Sequence, residues 1–130
     1  MREPIVRLVY ERTAAPGVDG GVEPLIAVCA TEDEAEDLRR ASAIRGRYAS
    51  WEHHPLRGAA GRAAPLLDGE MVRVVLIGDV EAEHRDPIGT AVYAEREAAE
   101  QRAADELFRT GDTAYHARTL PIGWRATYCP

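Results

Sequence analysis

The sequence predicts an α+β fold in which a β-β-α-β unit occurs twice in tandem, forming one mainly antiparallel sheet with two helices on one face. Short apolar segments bounded by Gly, Pro and charged residues indicate the strands, and two longer segments of strong helix formers indicate the helices. The segments follow in the same order in both halves of the 130-residue chain, which is long enough for one domain.

In the first half, the apolar segments are rich in branched side chains, which favour strands. Thr31 is followed three residues later by Glu34, a capping-box pattern that predicts the start of a helix, and Gly46 is expected to end it. Pro55 is expected to end the third strand. The predicted strands are Ile5–Tyr10, Pro24–Cys29 and Tyr48–His54, and the helix runs to about Ala43.

In the second half, the helix covers Glu95–Phe108 and Gly111 follows it in the position of a C-terminal glycine. Ala94 stands where the first helix has its capping Thr, so this helix is expected to begin without a side-chain cap. The predicted strands are Met71–Ile77, Ile88–Tyr93 and Thr113–Leu120.

The whole chain, 1–130, is predicted to be one domain. Its first half is 5–55, a Gly/Ala/Pro-rich linker is 56–70, its second half is 71–120 and its C-terminal tail is 121–130. Trp124 in the tail is expected to pack on the body of the domain, because a large aromatic side chain gains by burial.

An internal duplication is the strongest pattern in the chain. Val6–Tyr10 resembles Val72–Leu76, and Pro24–Ala43 aligns without gaps to Pro87–Glu106 with six of twenty positions identical. A chain so rich in Ala, Glu and Arg would give about two identities by chance. The alternative is two unrelated segments of similar composition.

Strand alternation divides the predicted sheet into two faces. The face assigned to the helices carries Val6, Leu8, Tyr10, Val72, Val74 and Leu76. The opposite face would be free of helices and is predicted to bind a partner, a second copy or a ligand. The residues predicted for this binding face are Arg7, Trp51, His53, Arg73, Val75, His116 and Arg118.

The densest group of potential metal ligands lies between two predicted strands of the second half. Alternate carboxylates on an extended segment share one face and could hold a divalent cation, but the spacing fits no calcium-loop rule. A solvated hairpin tip is the favoured interpretation. The candidate ligands are Asp79, Glu81, Glu83, His84 and Asp86.

The histidines suggest a second possible chemistry. His53 and His54 are adjacent on a strand and therefore face opposite sides, and one of them could meet His116 if the third strands of the two halves were neighbours. Histidine changes its charge near neutral pH, so such a pair with Glu52 could transfer protons. Polar residues that protect a strand edge are the favoured interpretation.

Composition restricts the functional classes. All 16 basic residues are Arg and the chain has no Lys, which excludes lysine chemistry and is typical of a GC-rich bacterial or phage gene. The net charge of −6 argues against general nucleic-acid binding, and no segment is apolar enough to span a membrane. Cys29 and Cys129 are expected to be reduced thiols in a cytoplasmic protein.

The sequence therefore predicts a cytoplasmic, non-catalytic binding or assembly module that uses the helix-free sheet face, with a protein partner or a homodimer and no cofactor. The alternative is a small enzyme, which would use acid–base chemistry of His53, His54 or His116, or a metal held by Asp79–Asp86.

Overall fold

In the computed structural model, residues 3–12, 23–62, 65–78 and 87–126 are described, and the class is α+β as predicted. Each predicted helix and strand is present within about three residues of its expected ends. The strands are β1 (Ile5–Arg12), β2 (Leu25–Cys29), β3 (Tyr48–Arg57), β4 (Met71–Ile77), β5 (Ile88–Tyr93) and β6 (Tyr115–Pro121); the helices are α1 (Glu32–Ile44) and α2 (Arg96–Thr110).

The described strands form one mixed sheet in the order β2-β1-β3-β5-β4-β6. Within each half, the central strand pairs antiparallel with its two neighbours. The halves meet where β3 runs parallel to β5, and this pairing covers only Leu56 with Val92 and Arg57 with Tyr93. Beyond these pairs the two strands are not hydrogen-bonded to each other, so a gap separates them toward their N-terminal ends.

The sheet curls until its two edges meet. The chain turns after β6, and Arg125 forms an antiparallel bridge with Ala27 on β2. The backbone N–H of Val28 donates to the carbonyl oxygen of Trp124 at 3.1 Å, and Trp124 packs against the core. The tail thus docks on the body of the protein, as the sequence predicts for Trp124.

The inside of the curl is filled by one face of all six described strands. This finding corrects the predicted faces: the residues assigned to the helices point into the interior instead. Every member of the interior cluster is at most 7% exposed, so the cluster has little contact with water. Its members are Val6, Leu8, Tyr10, Leu25, Val28, Leu56, Val72, Val74, Leu76, Val92, Leu120 and Ile122.

The helices pack on the other face of the sheet. Val9 lies in a cluster with Ala35 of α1, and Val75 lies in a cluster with Ala99 and Ala103 of α2. Alanine lets a helix come close to the sheet, so small residues of the strands and helices meet there. The larger Leu and Tyr side chains fill the interior, where opposite strands are farther apart.

The two helices begin differently. The side chain of Thr31 accepts a hydrogen bond from the Glu34 amide at 3.2 Å, which confirms the predicted cap of α1. Glu95 precedes α2 without a side-chain cap, and α2 ends at Gly111 with a φ of 72°. No helix in the described part of the chain is long and apolar enough to cross a membrane.

Pro55 lies inside β3 rather than at its end, contrary to the prediction. The N–H of Leu56 points toward β1 and donates to the Pro4 carbonyl at 2.7 Å. Since successive backbone groups alternate in direction, the nitrogen of Pro55 points the other way, where β3 has not yet paired with β5. The missing N–H therefore costs no sheet hydrogen bond.

A buried ion-pair cluster attaches the C-terminal end of α1 to β1. Glu11 is 1% exposed; its carboxylate accepts hydrogen bonds from Ser42 and from Arg45 at 2.6 Å and Arg47 at 3.1 Å. Burial would raise the pKa of Glu11, but the hydrogen bonds from Ser42 and Arg47 and the charges of both arginines hold it below its ordinary value.

Glu11→Gln is expected to lower the free energy of unfolding at neutral pH by about 2 kcal/mol, because two cations lose their buried partner. The native pKa of Glu11 is lowered, so its contribution is complete above the unfolded value of about 4.5 and is lost as the pH falls through the native value.

Urea denaturation at pH 6 and at pH 3 measures this effect. The difference in stability between wild type and Glu11→Gln should shrink at pH 3, whereas Glu100→Gln, at an exposed position on α2, should change little at either pH. A difference of the same size at both pH values would contradict the assignment.

Val75→Asp tests the corrected faces. Val75 is fully buried under α2, so an unpaired carboxylate there is expected to cost about 3 kcal/mol or more and to unfold much of the protein. Met71→Asp, on the same strand at a residue 51% exposed, should cost less than about 1 kcal/mol. Equal unfolding free energies for the two variants would mean that Val75 faces solvent.

Candidate functional site

A cleft opens on the inner face of the sheet, where β3 and β5 diverge. It has a volume of about 350 Å³, within the range of small-molecule sites, which is roughly 300–1,000 Å³. It exists because the parallel pairing of the two halves ends after two residue pairs. The described residues that line it are Tyr10, Glu23, Ser50, Glu52, Pro87 and Ile88.

Tyr10 connects the two halves across this gap. Its Oη accepts a hydrogen bond from the Gly89 N–H at 2.8 Å and donates one to Glu52 Oε1 at 3.1 Å. The first bond satisfies a backbone donor at the start of β5 that has no strand beside it on this side. The second fixes the Glu52 carboxylate at the wall of the cleft.

Gly89 makes this approach possible because it has no side chain. A Cβ at this position would lie 2.3 Å from Leu8 Cδ1 and 3.0 Å from Tyr10 Oη. Leu8 is fully buried and has no free space to move into. Any larger residue at 89 would therefore push β5 away from β1 and widen the cleft.

The environment keeps the Tyr10 hydroxyl neutral. Burial raises its pKa above the ordinary range; the Gly89 N–H opposes this, and the negative charges of Glu52 and Glu23 add to it. Tyr10 is thus a hydrogen-bonding group with a fixed proton, and the negative charge of the cleft resides on the carboxylates.

His54 extends the hydrogen-bonded chain along β3. Its Nε2 lies 3.2 Å from Glu52 Oε1, and the two residues share the inner face because they are two positions apart. The acid–base alternative needs two histidines beside Glu52, and this contact supplies one of them. His54 is more buried than Glu52, with 15% of its side chain exposed against 50%.

The other two histidines that the structure describes do not join this group. His53 points to the helix side, where its Nε2 lies 3.0 Å from Glu32 Oε1, so the two adjacent histidines do face opposite ways. The Nδ1 of His116 lies 3.1 Å from the Ala114 carbonyl oxygen. A meeting of His116 with His53 or His54 required β3 and β6 to be neighbours, and this condition is not met, because β5 and β4 lie between them.

The residues predicted to form one helix-free surface are divided between the two sides of the sheet. His116 and Arg118 pair with Leu76 and Val74 and so lie on the inner face. The remaining five face the helices, which corrects the predicted surface. They are Arg7, Trp51, His53, Arg73 and Val75.

Two of these residues hold the segments that lead into the helices. The Nη1 of Arg7 donates to the Ala30 carbonyl oxygen at 2.7 Å, and the Nη1 of Arg73 donates to the Ala94 carbonyl oxygen at 2.8 Å. Each arginine thus ties the first strand of its half to the loop before the helix. These contacts give both arginines a structural role.

The acidic segment Asp79–Asp86 lies outside the described residues, and so does Cys129. Among the described residues, no group of three His, Cys, Asp or Glu side chains could hold a metal ion. Cys29 is buried as predicted, and burial raises its pKa to about 11, so it remains a thiol at neutral pH.

Sequence reasoning missed the residues that form the cleft. Tyr10 was assigned to a contact with a helix, and Ser50 was not singled out. One signal was available: Ser50, Glu52 and His54 alternate along β3 with polar side chains on what becomes the inner face. Polar residues at alternate positions of a strand, on the face that its neighbour fills with apolar residues, indicate that the core is incomplete beside that strand.

A second cavity lies at the uncapped start of α2. Arg73 and Arg96 line it together with Glu95 and Glu97, so the charges in its described lining balance. This balance indicates no ligand class, whereas the described lining of the first cleft carries carboxylates and an apolar wall. The cleft between β3 and β5 is therefore the candidate functional site.

Comparison of the chain with protein-family models, with curated protein sequences and with solved structures finds no match.

Proposed function

We propose that this protein is a binding module for a small ligand, which it takes into the cleft between β3 and β5. The helix-free face of the sheet remains the proposed binding surface, but it is concave and its residues differ from those expected from sequence. The observation that carries the proposal is the cleft itself, which combines an apolar wall with a small number of positioned polar groups.

The position of the cleft supports this function. The cleft lies where the two halves of the sheet meet, and ligand sites are common at such junctions. Its polar groups are held by hydrogen bonds before any ligand arrives, since Tyr10 orients Glu52. A preformed site loses little conformational entropy on binding.

Ile88→Trp tests the cleft. Ile88 is 54% exposed at its wall, so a larger side chain can fill the space without disturbing the core. In the wild-type protein, we expect fragments from a library of neutral, cationic and anionic small molecules to bind in the cleft and to shift the amide NMR signals of residues 50, 52, 88 and 89. Dissociation constants of about millimolar are expected for molecules of this size.

The control is Leu67→Trp, because Leu67 is 64% exposed and lies outside the described lining of the cleft. Fragment binding should be lost in Ile88→Trp and retained in Leu67→Trp. Shifts confined to other parts of the protein, or unchanged binding in Ile88→Trp, would refute the proposed site.

The expected assembly function has a different candidate surface. Ile44 and Phe108 are large apolar side chains that are 88% and 94% exposed. Ile44 lies twelve residues after the start of α1 at Glu32, and Phe108 lies twelve residues after the start of α2 at Arg96. The two helices thus expose an apolar residue at the same place.

As a second candidate function, we propose a homodimer in which α1 of one copy packs against α2 of the other. A twofold axis would form this contact twice, with Ile44 against Phe108 each time. Arg40 lies one turn before Ile44 and Asp105 lies one turn before Phe108, so the charges beside the apolar pair are complementary.

Phe108→Ser is expected to weaken this dimer. The dimer loses two buried aromatic side chains, one in each copy of the contact, at about 2 kcal/mol each; the total of about 4 kcal/mol corresponds to a dissociation constant raised about 1,000-fold. Sedimentation equilibrium measures the change, with Leu67→Ser as the control because Leu67 is 64% exposed elsewhere on the surface. A monomeric wild type, or equal dissociation constants for wild type and Phe108→Ser, would exclude this dimer.

We also propose that the two halves descend from one duplicated β-β-α-β unit. Both halves pair their strands in the same order, and the register shifts at the same place, after Val9 in β1 and after Val75 in β4. Ala27 pairs with Val9 and Ala91 pairs with Val75, so equivalent residues of β2 and β5 lie 64 positions apart in the sequence. The gapless sequence alignment pairs residues that lie 63 positions apart, so it is shifted by one residue from this register.

The arginine contacts support the same proposal, because Arg7 binds the Ala30 carbonyl as Arg73 binds the Ala94 carbonyl. Sequences of related chains can test it. Arg should be kept at positions 7 and 73 together; a relative that has the fold but keeps only one of them would argue against duplication.

A further inference from the structure

The cleft between β3 and β5 has two chemically different walls. Ser50 and Glu52 on β3 form a polar wall with the hydroxyl of Tyr10. Pro87 and Ile88 form an apolar wall opposite. A ligand that fills the cleft therefore meets a carboxylate on one side and aliphatic carbon on the other.

The polar wall offers more hydrogen-bond acceptors than donors. The single Tyr10 hydroxyl proton is already donated to Glu52 Oε1, and the Gly89 N–H is already bound to Tyr10. His54 also uses Oε1 of Glu52, so within the described residues Oε2 makes no hydrogen bond. The atoms of this wall that remain for a ligand are thus the Ser50 hydroxyl, which can donate or accept, and this carboxylate oxygen, which requires a donor.

Charge favours a cation at this atom. Glu52 lies in the described lining of the cleft, and this lining contains no basic side chain. Tyr10 remains neutral, so the carboxylates account for the charge of this wall. The chain as a whole carries a net charge of −6, which adds a long-range attraction for small cations.

On the basis of the proposed binding function, we propose that the ligand is a small organic ammonium ion. Its charged nitrogen donates to Glu52 Oε2, and its apolar part lies against Ile88. A charge-assisted hydrogen bond to a preoriented carboxylate is among the stronger polar contacts. The half-open cleft leaves part of the ammonium group in water, so its desolvation cost is small.

Three probes of the same shape test the ligand class: benzylamine, which is protonated at pH 7, benzyl alcohol and benzoate. Amide NMR titration of the full chain gives a dissociation constant for each. Benzylamine should bind about tenfold more tightly than benzyl alcohol, because only the ammonium adds a positive charge opposite the Glu52 carboxylate, and benzoate should bind most weakly.

Glu52→Gln keeps the shape of the wall and removes its charge. It should weaken benzylamine binding about tenfold and benzyl alcohol binding by about threefold or less, because the alcohol loses no pairing of opposite charges. Glu100→Gln removes the same charge from the exposed surface of α2 and should change neither probe, which controls for net charge. Unfolding free energies of the variants, measured by urea denaturation, verify that both are folded.

The outcomes separate this proposal from the one on which it rests. Equal binding of the three probes, tighter binding of benzoate, or benzylamine binding that Glu52→Gln leaves unchanged would overturn the ammonium ligand, while the cleft would remain a binding site. If library fragments bind at Ile88 but benzylamine does not, the ammonium ligand is likewise overturned and the cleft remains a binding site. If neither fragments nor probes shift residues 88 and 89, both proposals fail.

Discussion

The structure depends on one constraint: a six-stranded sheet has to bury its inner face against itself. No helix covers this face among the described elements, so the sheet curls and side chains from both halves fill the space between them. Leu8 and Val74 belong to the same interior cluster although they lie far apart in sequence. Neither half could bury its apolar face without the other.

The cleft follows from the same constraint. Within each half, antiparallel pairing joins the strands along most of their length, but the parallel junction between the halves contains only two residue pairs. A polar side chain has to satisfy the backbone where pairing stops, and Tyr10 does this through Gly89. The consequence is a concave site with a neutral phenol and an oriented Glu52 carboxylate, which is the basis of the functional proposals.

Local features of the sequence were sufficient to predict the helices and strands. The Thr31 cap and Gly111 act within one turn of the chain, so their effect does not depend on distant contacts. The face assignment failed because alternation separates the two faces of a strand but does not indicate which face the helices cover, and β1 and β4 have buried residues on both faces. The cleft was missed for the same reason, since Tyr10 was assigned to the wrong side.

The sequence by itself determined the α+β class, the order and approximate ends of the elements, and the burial of Cys29, because each depends on local propensity or on the apolar pattern of one segment. Only the tertiary structure decided the strand order, the curl and the contact of Tyr10 with Gly89. These features arise from contacts between residues that lie 79 positions apart at Tyr10 and Gly89 and 100 apart at Ile26 and Ala126, and the free energy of such contacts depends on how the segments meet rather than on the composition of any one of them.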